Sequence, residues 1–482
     1  MLVHIWDHGL KGKIWRLLKK LNTNLTCQVK TKNGLTEKIN RIVGGKQGGK
    51  NFGFMFAKLM DLLQEEAEEL QHIGVYFDIL KLAFLIWVDD VLSFAEGEQQ
   101  QRLTLQMVNE FAVKHKLKWG GDKCKVMPIG KSAFVQQKWD LGSIKIDSCD
   151  SYKYLGDIIM RNNCNKKNID DRENKVKSAT RQVISMCGSE TIQGMEIEGL
   201  LKLHESRIVS TLLTNCETWV LGKEERRKLE RIELWALKKM IGLPPTTPTL
   251  AVIITTGCLF TTQRIDQRQL IYLKILLHRP DDNWTKRSLY IQNSEKIWWA
   301  KQINELLDSY DLDYTWDEIK KTPFATWKRL VQSKIEKKHL DRLKEGNVGV
   351  SGTKIKTKYI HDLLERDNYT RQPMKNILNR SKIGVRALIM GMSGMLDCAN
   401  NFHFKYKRKT CDLCSEIDNE SHRINHCKKY AYMNLHNSEL KFDFSTIYSS
   451  EQKDIDKAEF VIRHLWDLSN GKNQMKPSEP SS

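Results

Sequence analysis

The first 160 residues mix helix-type and strand-type spacing of apolar side chains. Segment 54–70 carries Phe56, Met60 and Leu63 at helical intervals, which predicts a helix. A second stripe with the same period predicts a helix through Met107, Val108 and Phe111. Short β-type runs follow at 125–127 and 143–146. This part of the chain is therefore predicted to be α+β.

Between the two predicted helices, two apolar runs of β type are separated by acidic residues. The runs span 82–88 and 91–94, and Asp89 and Asp90 interrupt them. Two β-prone runs joined at a charged pair predict a hairpin with the carboxylates at its bend.

Beyond residue 160 the pattern becomes helical. Leu229, Ile232 and Ala236 form one helix face, and a double proline at 244–245 ends that helix. The glycine-rich segment 345–352 is a candidate linker, and the polar tail 471–482 is expected to be disordered. His204 lies on an apolar helical stripe and is expected to be a histidine at the edge of the core rather than a catalyst.

The composition favours a partner with negative charge and argues against a membrane-spanning, secreted or disulfide-stabilised protein. The chain has 482 residues and a formal net charge of +19, which favours a polyanionic partner. No apolar run reaches the roughly 18 residues that a membrane-spanning helix needs, and the first residues lack the pattern of a secretory signal. The 11 cysteines are an odd number, which argues against a disulfide framework and for a reducing compartment.

The carboxylate pair can be interpreted as a metal site or as a solvated turn without a ligand. Burying two like charges side by side costs several kcal/mol unless cations share them. Mg²⁺ suits such a pair because it takes carboxylate oxygens and leaves positions for phosphates and water. On the dipeptide alone, a solvated Asp-Asp turn is the commoner explanation.

Five features follow one another in order between about residues 40 and 220. They are Gly44, Gln47 and Gly48; the string Trp-Val-Asp-Asp-Val-Leu-Ser-Phe-Ala at 87–95; Lys123 after two glycines; Tyr152-Lys153-Tyr154-Leu155-Gly156; and Cys216-Glu217-Thr218-Trp219. In that order they resemble the G-x-x-Q-G motif, the YADD core, the motif D lysine, the primer grip and the E-T-W motif of reverse transcriptases from non-LTR (LINE-type) retrotransposons.

The resemblance implies an RNA-directed DNA polymerase with an RNA template, a DNA primer and dNTPs as partners. Asp89 and Asp90 would bind Mg²⁺ or Mn²⁺, and Lys123 would face the triphosphate. Gly44, Gln47 and Gly48 would lie along nucleic acid or nucleotide, and Tyr154, Leu155 and Gly156 would hold the primer end. Four segments are expected: a partial palm at 1–160, a helical thumb and connector at 161–345, a basic C-terminal region with a zinc knuckle at 346–470, and the tail.

The sequence also departs from the family pattern. The family's third catalytic carboxylate lies on an earlier strand, whose expected place falls before residue 1, so the chain reads as amino-terminally truncated. Two carboxylates without the third position Mg²⁺ badly, which costs orders of magnitude in rate. We therefore expect impaired polymerase activity. The alternative is a non-catalytic RNA- or DNA-binding remnant of a retroelement.

A Cys/His pattern near the C-terminus predicts a metal site. The spacing is Cys411-x2-Cys414-x7-His422-x4-Cys427, and His426 is an alternative fourth ligand. Two cysteines three residues apart converge on one Zn²⁺, and a later His and Cys complete a tetrahedron. The alternative is a set of unrelated thiols. Without an open ligand position the zinc would be structural, and the position resembles the family's C-terminal zinc knuckle.

Basic and aromatic residues flank this pattern and suit RNA or single-stranded DNA. They are Lys405, Tyr406, Lys407, Arg408, Lys409, Lys428, Lys429 and Tyr430. A nuclear or cytoplasmic location is expected for a protein with these partners.

Overall fold

A computed structural model describes the residues 2–41, 50–70, 72–77, 80–130, 137–186 and 196–345, and beyond them 364, 374–378, 382–392, 410–411, 414–417, 422–423, 427, 455–456, 458–459 and 462. The chain divides into two compact units, Met1–Lys167 and Asn168–Ser482. Each unit is described by itself.

The first unit is a mixture of helices and short strands. Its helices are α1 (Leu2–Asp7), α2 (Gly12–Asn22), α3 (Lys50–Glu69) and α4 (Gly97–His115). Its strands are β1 (Leu25–Cys27), β2 (Lys30–Thr31), β3 (Gly34–Leu35), β4 (Ile39–Arg41), β5 (Val75–Phe77), β6 (Leu80–Leu82), β7 (Phe84–Trp87), β8 (Asp90–Ser93), β9 (Lys125–Val126), β10 (Lys138–Leu141), β11 (Ile144–Ser148), β12 (Ser151–Tyr154) and β13 (Asp157–Met160).

The strands form small sheets. Antiparallel pairs join β1 with β4, β2 with β3, β5 with β6, β7 with β8, and β12 with β13. A three-stranded sheet has the order β10-β11-β9, in which β9 runs parallel to β11. Helices α3 and α4 bury one apolar face each against these strands, and the shared core contains Leu63, Phe84, Phe111, Trp139 and Ile146.

The second unit is helical in its described part. Its helices are α5 (Lys166–Met186), α6 (Ile197–Leu203), α7 (Ser210–Leu212), α8 (Lys223–Ile241), α9 (Thr249–Thr256), α10 (Thr261–Leu277), α11 (Trp284–Glu295), α12 (Trp298–Ser309), α13 (Trp316–Lys321), α14 (Phe324–Lys344), α15 (Lys375–Leu378) and α16 (Lys382–Met392). A π-helical segment, His204–Val209, joins α6 to α7, and a 3₁₀ turn spans Cys216–Thr218.

Two apolar clusters support these helices. One joins α5 to α9 with described residues as distant as Leu388 and Ile462, and the other surrounds Trp327 on α14. Several buried polar groups in this unit have protein partners. For example, the ammonium of Lys274, only 1% exposed, donates to the backbone carbonyls of Ile319, Lys320 and Thr322 at the end of α13.

His204 is buried in the core, which is deeper than the edge position that the sequence predicts. It is 1% exposed and its Nε2 lies 3.8 Å from the Glu233 carboxylate. Burial, followed by the positive charge of Arg264, lowers the pKa of His204 to about 4, so the ring is neutral at physiological pH.

The structure confirms the α+β class and the helices expected around residues 54–70 and 103–112, which are α3 and α4. The palm, thumb and C-terminal assignments remain predictions. Residues 346–352 of the candidate linker and the tail 471–482 lie outside the described residues.

Candidate functional site

The predicted carboxylate hairpin is present in the first unit. Strands β7 and β8 pair antiparallel, with Trp87 opposite Asp90, so Val88 and Asp89 form a two-residue loop. Phe84, Ile86 and Val91 face the apolar core. The period of two therefore directs the opposite face of the hairpin, which carries Trp87 and Asp90, toward solvent.

Both carboxylates are exposed to solvent. The sequence argument that burial makes this pair costly is therefore wrong, because water solvates both groups at the loop. The loop is unusual for another reason. Val88 adopts a φ of 57°, and a β-branched residue rarely occupies this left-handed region. Trp87 is 65% exposed beside Asp90, although an indole of this size is ordinarily mostly buried.

A second hairpin contacts the first one. Strands β12 and β13 pair with Tyr154 opposite Asp157, and the loop residues Leu155 and Gly156 have φ values of 45° and 92°. The Tyr154 hydroxyl donates to the backbone carbonyl of Leu85 on β7, at 3.5 Å. Burial, followed by the negative charge of Asp90, raises the pKa of Tyr154. The predicted primer-grip segment therefore lies beside the carboxylate hairpin.

Lys123 joins this region through its backbone. It ends a 3₁₀ turn, Gly121–Lys123, and its side chain is exposed. Its carbonyl accepts a hydrogen bond from the Tyr152 hydroxyl at 2.7 Å. Burial is the main cause of the raised pKa of Tyr152, and Asp90 contributes to it. The structure thus brings the Lys123 turn, β12 and Asp90 into one neighbourhood.

Sequence reasoning did not assign a role to Tyr152. The signal was available, because Tyr152 and Tyr154 alternate along one strand and must share a face. The other predicted nucleic-acid-binding residues, Gly44, Gln47 and Gly48, lie outside the described residues.

The second predicted site is the Cys/His cluster of the second unit. One ligand atom from each of Cys411, Cys414, His422 and Cys427 lies within 4.8 Å of all the others. The Cys427 Sγ is 3.6 Å from the Cys411 Sγ and 3.9 Å from the Cys414 Sγ. Tetrahedral zinc with Zn–S bonds of about 2.3 Å requires sulfur atoms about 3.8 Å apart. The four side chains could therefore hold a metal ion such as zinc.

Local backbone hydrogen bonds shape this cluster. The Cys411 amide donates to the Glu416 carbonyl at 2.7 Å, and the Ser415 amide donates to the Cys411 carbonyl at 2.9 Å, which folds the first two cysteines into a tight turn. The Cys427 amide bonds the His422 carbonyl at 2.7 Å. The alternative ligand His426 and the basic flanks Lys405–Lys409 and Lys428–Tyr430 lie outside the described residues.

Sequence reasoning also missed the role of Glu416. Its Oε2 lies 2.8 Å from the His422 Nδ1, while the Glu416 side chain is 63% exposed. A carboxylate on one ring nitrogen of a ligating histidine fixes the ring orientation and leaves the other nitrogen to face the metal. The spacing of Glu416 carries no sequence signal of this role.

No other described residues form a comparable ligand set. Across the described part of the chain, the Cys/His cluster is the one group of three or more His, Cys, Asp or Glu side chains arranged to hold a metal ion. Asp89 and Asp90 therefore have no third such side chain in a common ligand group there.

No protein-family model matches the chain, and no curated protein matches it. None of the described helices has the length and apolar character required to cross a membrane.

Proposed function

We propose that the chain is a reverse-transcriptase-like protein of the non-LTR retrotransposon type, which binds an RNA template and a DNA primer through its first unit. The observation that carries the proposal is the placement of the exposed pair Asp89 and Asp90, at the loop and the first residue of β8, beside Tyr154. Two motifs that the resemblance assigns to metal and primer lie together on one surface, although Asp90 and Tyr154 are 64 residues apart in sequence (154 − 90 = 64).

The surface has the chemistry that a primer end requires. Trp87 offers an exposed aromatic face for a base or sugar, and Lys123 offers a cation for phosphate. Asp89 and Asp90 would hold Mg²⁺ or Mn²⁺ together with nucleotide phosphates, since Mg²⁺ is ordinarily bound through one or two carboxylates plus phosphate oxygens. Such ions would supply activation of an attacking hydroxyl and stabilisation of a leaving pyrophosphate.

Polymerase activity of the chain by itself is proposed to be impaired. The two carboxylates have no third ligand of the same kind within reach among the described residues. Binding of nucleic acid without synthesis is therefore the second candidate function, and the same observation favours it. A nuclear or cytoplasmic location follows from either function as part of the proposal.

The Cys/His cluster is proposed to bind structural zinc. All four ligand positions are protein side chains, and Cys427 and His422 are buried at 0% and 4% exposure. A site without an open position serves folding and not catalysis. The role of this module would be to present nucleic-acid-binding residues.

Binding to an RNA–DNA hybrid tests the proposal. The probe is a fluorescein-labelled RNA template with an annealed DNA primer, followed by anisotropy from 50 to 200 mM salt. If about six phosphates are contacted, affinity should fall on the order of a thousandfold over that range. Salt-independent association would overturn both candidate functions.

A charge-neutralised variant locates the site. Without divalent ions, D89N/D90N should bind the hybrid more tightly than the native chain, because two negative charges beside the phosphates are removed. The matched control is E65Q/E69Q, which removes two exposed charges from α3. Equal effects of the two double variants would contradict the placement.

Template-primed dNTP incorporation with Mg²⁺ or Mn²⁺ separates the two functions. Little or no synthesis is expected from the chain alone. Robust synthesis that D89A abolishes would overturn the proposed impairment and establish an active polymerase.

A further inference from the structure

A cleft in the second unit is lined by none of the residues of the two sites described above. Residues of helices α11 and α12 and of the segment 312–318 line an open cleft of about 570 Å³. That volume is within the range of pockets that hold small ligands or peptide side chains. Its aromatic residues are Tyr290, Tyr314 and Trp316, and its apolar floor includes Leu307 and Leu312.

A fixed chain of polar groups crosses the floor of this cleft. The indole N–H of Trp316 donates to the Asn304 Oδ1 at 3.0 Å, and the Asn304 Nδ2 donates to the Asn293 Oδ1 at 2.8 Å. Because an indole nitrogen can only donate, it sets the orientation of both amides. The Nδ2 of Asn293 is thereby left as a donor in the cleft wall, and no acceptor for it lies among the described residues.

The aromatic rings are held at a definite angle. Tyr290 and Trp316 meet edge to face, with ring centroids 5.8 Å apart and planes at 65°. Trp316 is 9% exposed, whereas Tyr290 and Tyr314 are 38% and 39% exposed. The rigid indole therefore supports two tyrosine faces that remain accessible.

The charge of the cleft is opposite to that of the protein. Asp308, Asp313, Asp317 and Glu318 line it, and no basic side chain does, although the chain carries a net charge of +19. Glu318 is used within the fold, because its carboxylate accepts from the amide and hydroxyl of Thr315. The other three carboxylates are exposed, and none forms an ion pair with a described residue.

We propose that this cleft binds an extended peptide segment that carries arginine or lysine side chains. Carboxylates and tyrosine faces together match a guanidinium or ammonium group, through charge-assisted hydrogen bonds and cation–π contact. The donor of Asn293 matches a backbone carbonyl, which a peptide has and a free polyamine lacks. The inference is independent of the proposed polymerase function.

The test uses the full chain and a fluorescein-labelled nonapeptide, Gly-Ser-Arg-Gly-Arg-Gly-Arg-Ser-Gly, with fluorescence anisotropy as the readout. The reference peptide has citrulline in place of each arginine, which keeps the shape and removes the charge. Spermidine serves as a competitor without carbonyl groups. The arginine peptide should bind, the citrulline peptide should not, and spermidine should compete weakly.

Variants place the peptide in the cleft. D313N and D317N should each weaken binding several-fold, and the double variant should weaken it about tenfold, since exposed charge pairs contribute modestly. N293A should also weaken the peptide without changing spermidine affinity. The matched control is D311N, because Asp311 belongs to the same loop, does not line the cleft, and lies 3.7 Å from Lys338. Thermal melting verifies that each variant is folded.

Three results would overturn the inference. The first is no binding of the arginine peptide, and the second is an equal effect of D311N and the cleft variants. The third is spermidine binding as tightly as the peptide with no effect of N293A, which would make the site one for small polycations. None of these outcomes depends on whether the first unit binds an RNA–DNA hybrid.

Discussion

Replacement of Cys427 by serine should abolish zinc binding by the Cys/His cluster. Cys427 is the central thiol, because its sulfur lies 3.6 Å from that of Cys411 and 3.9 Å from that of Cys414. It is also fully buried. A serine hydroxyl is a poor zinc ligand, so the change removes one of four ligands without adding bulk.

The expected magnitude follows from the ligand set. Zinc binding to four-ligand structural sites supplies about 10–16 kcal/mol at neutral pH, which is comparable to the whole stability of a domain. Among the described residues, the contacts that shape this module include a Thr410–Ile417 bridge, three backbone hydrogen bonds and the contact between Glu416 and His422. Loss of the metal should therefore unfold segment 410–427 and leave the helical core around Trp327 intact.

Substitution of Glu416 should weaken zinc binding without abolishing it. Its carboxylate orients the His422 ring from outside the ligand set. Loss of such a partner ordinarily weakens metal affinity about 10–100-fold. E416Q should therefore retain zinc at high metal concentration and release it to a chelator earlier than the native chain does.

The assay is zinc content after purification, combined with hydrogen exchange of segment 410–427. The native chain should carry one zinc ion, and C427S none, with faster exchange confined to that segment. C27S is the matched control, because Cys27 is an exposed thiol outside the cluster. Native protein that contains no zinc, or C427S with undiminished zinc, would refute the metal assignment.

Three further predictions concern the folded state. K274M should lower the free energy of unfolding by about 2–4 kcal/mol in urea melts, because three carbonyls lose a charged donor, whereas K328M on the exposed face of α14 should change it little. The stability contributed by neutral His204 is complete above pH 6.5 and is lost as the pH falls toward about 4, because between these values only the unfolded state takes up the proton. The loss amounts to about 3 kcal/mol in the free energy of unfolding. In melts across the pH range, H204Q should therefore show a weaker dependence of the free energy of unfolding on pH than the native chain. V88G should raise the free energy of unfolding by about 1 kcal/mol, because glycine relieves the left-handed φ, and thermal melting will measure the change.

Local signals account for what the sequence predicted. The stripe through Met107 and Phe111 has the period of a helix, and Asp89 and Asp90 break an apolar run where a hairpin must turn. The thiols of Cys411 and Cys414 lie close together because residues three positions apart meet across a tight turn. Each of these inferences needs only residues that are neighbours along the chain.

Contacts between distant segments were beyond sequence reasoning. The Tyr154 hydroxyl reaches Leu85 across 69 residues, and Lys274 reaches the end of α13 across 45 to 48 residues. Neither contact has a periodic or spacing signature, since it depends on how separate elements pack. The acidic cleft was missed for the same reason, because its lining comes from two helices and a loop.

The exposure of the carboxylate pair changes which argument supports a nucleic-acid role. A buried acid in this chain, Asp266, is matched by Arg226, as desolvation requires. Asp89 and Asp90 need no cationic partner, because water solvates both carboxylates. A plain solvated turn at this position therefore has no energetic cost to explain. Trp87 is 65% exposed directly across the strand pair from Asp90. An exposed indole and carboxylates on one face match the proposed ligand, which has both aromatic and phosphate surfaces, and the comparison of D89N/D90N with E65Q/E69Q tests that proposal directly.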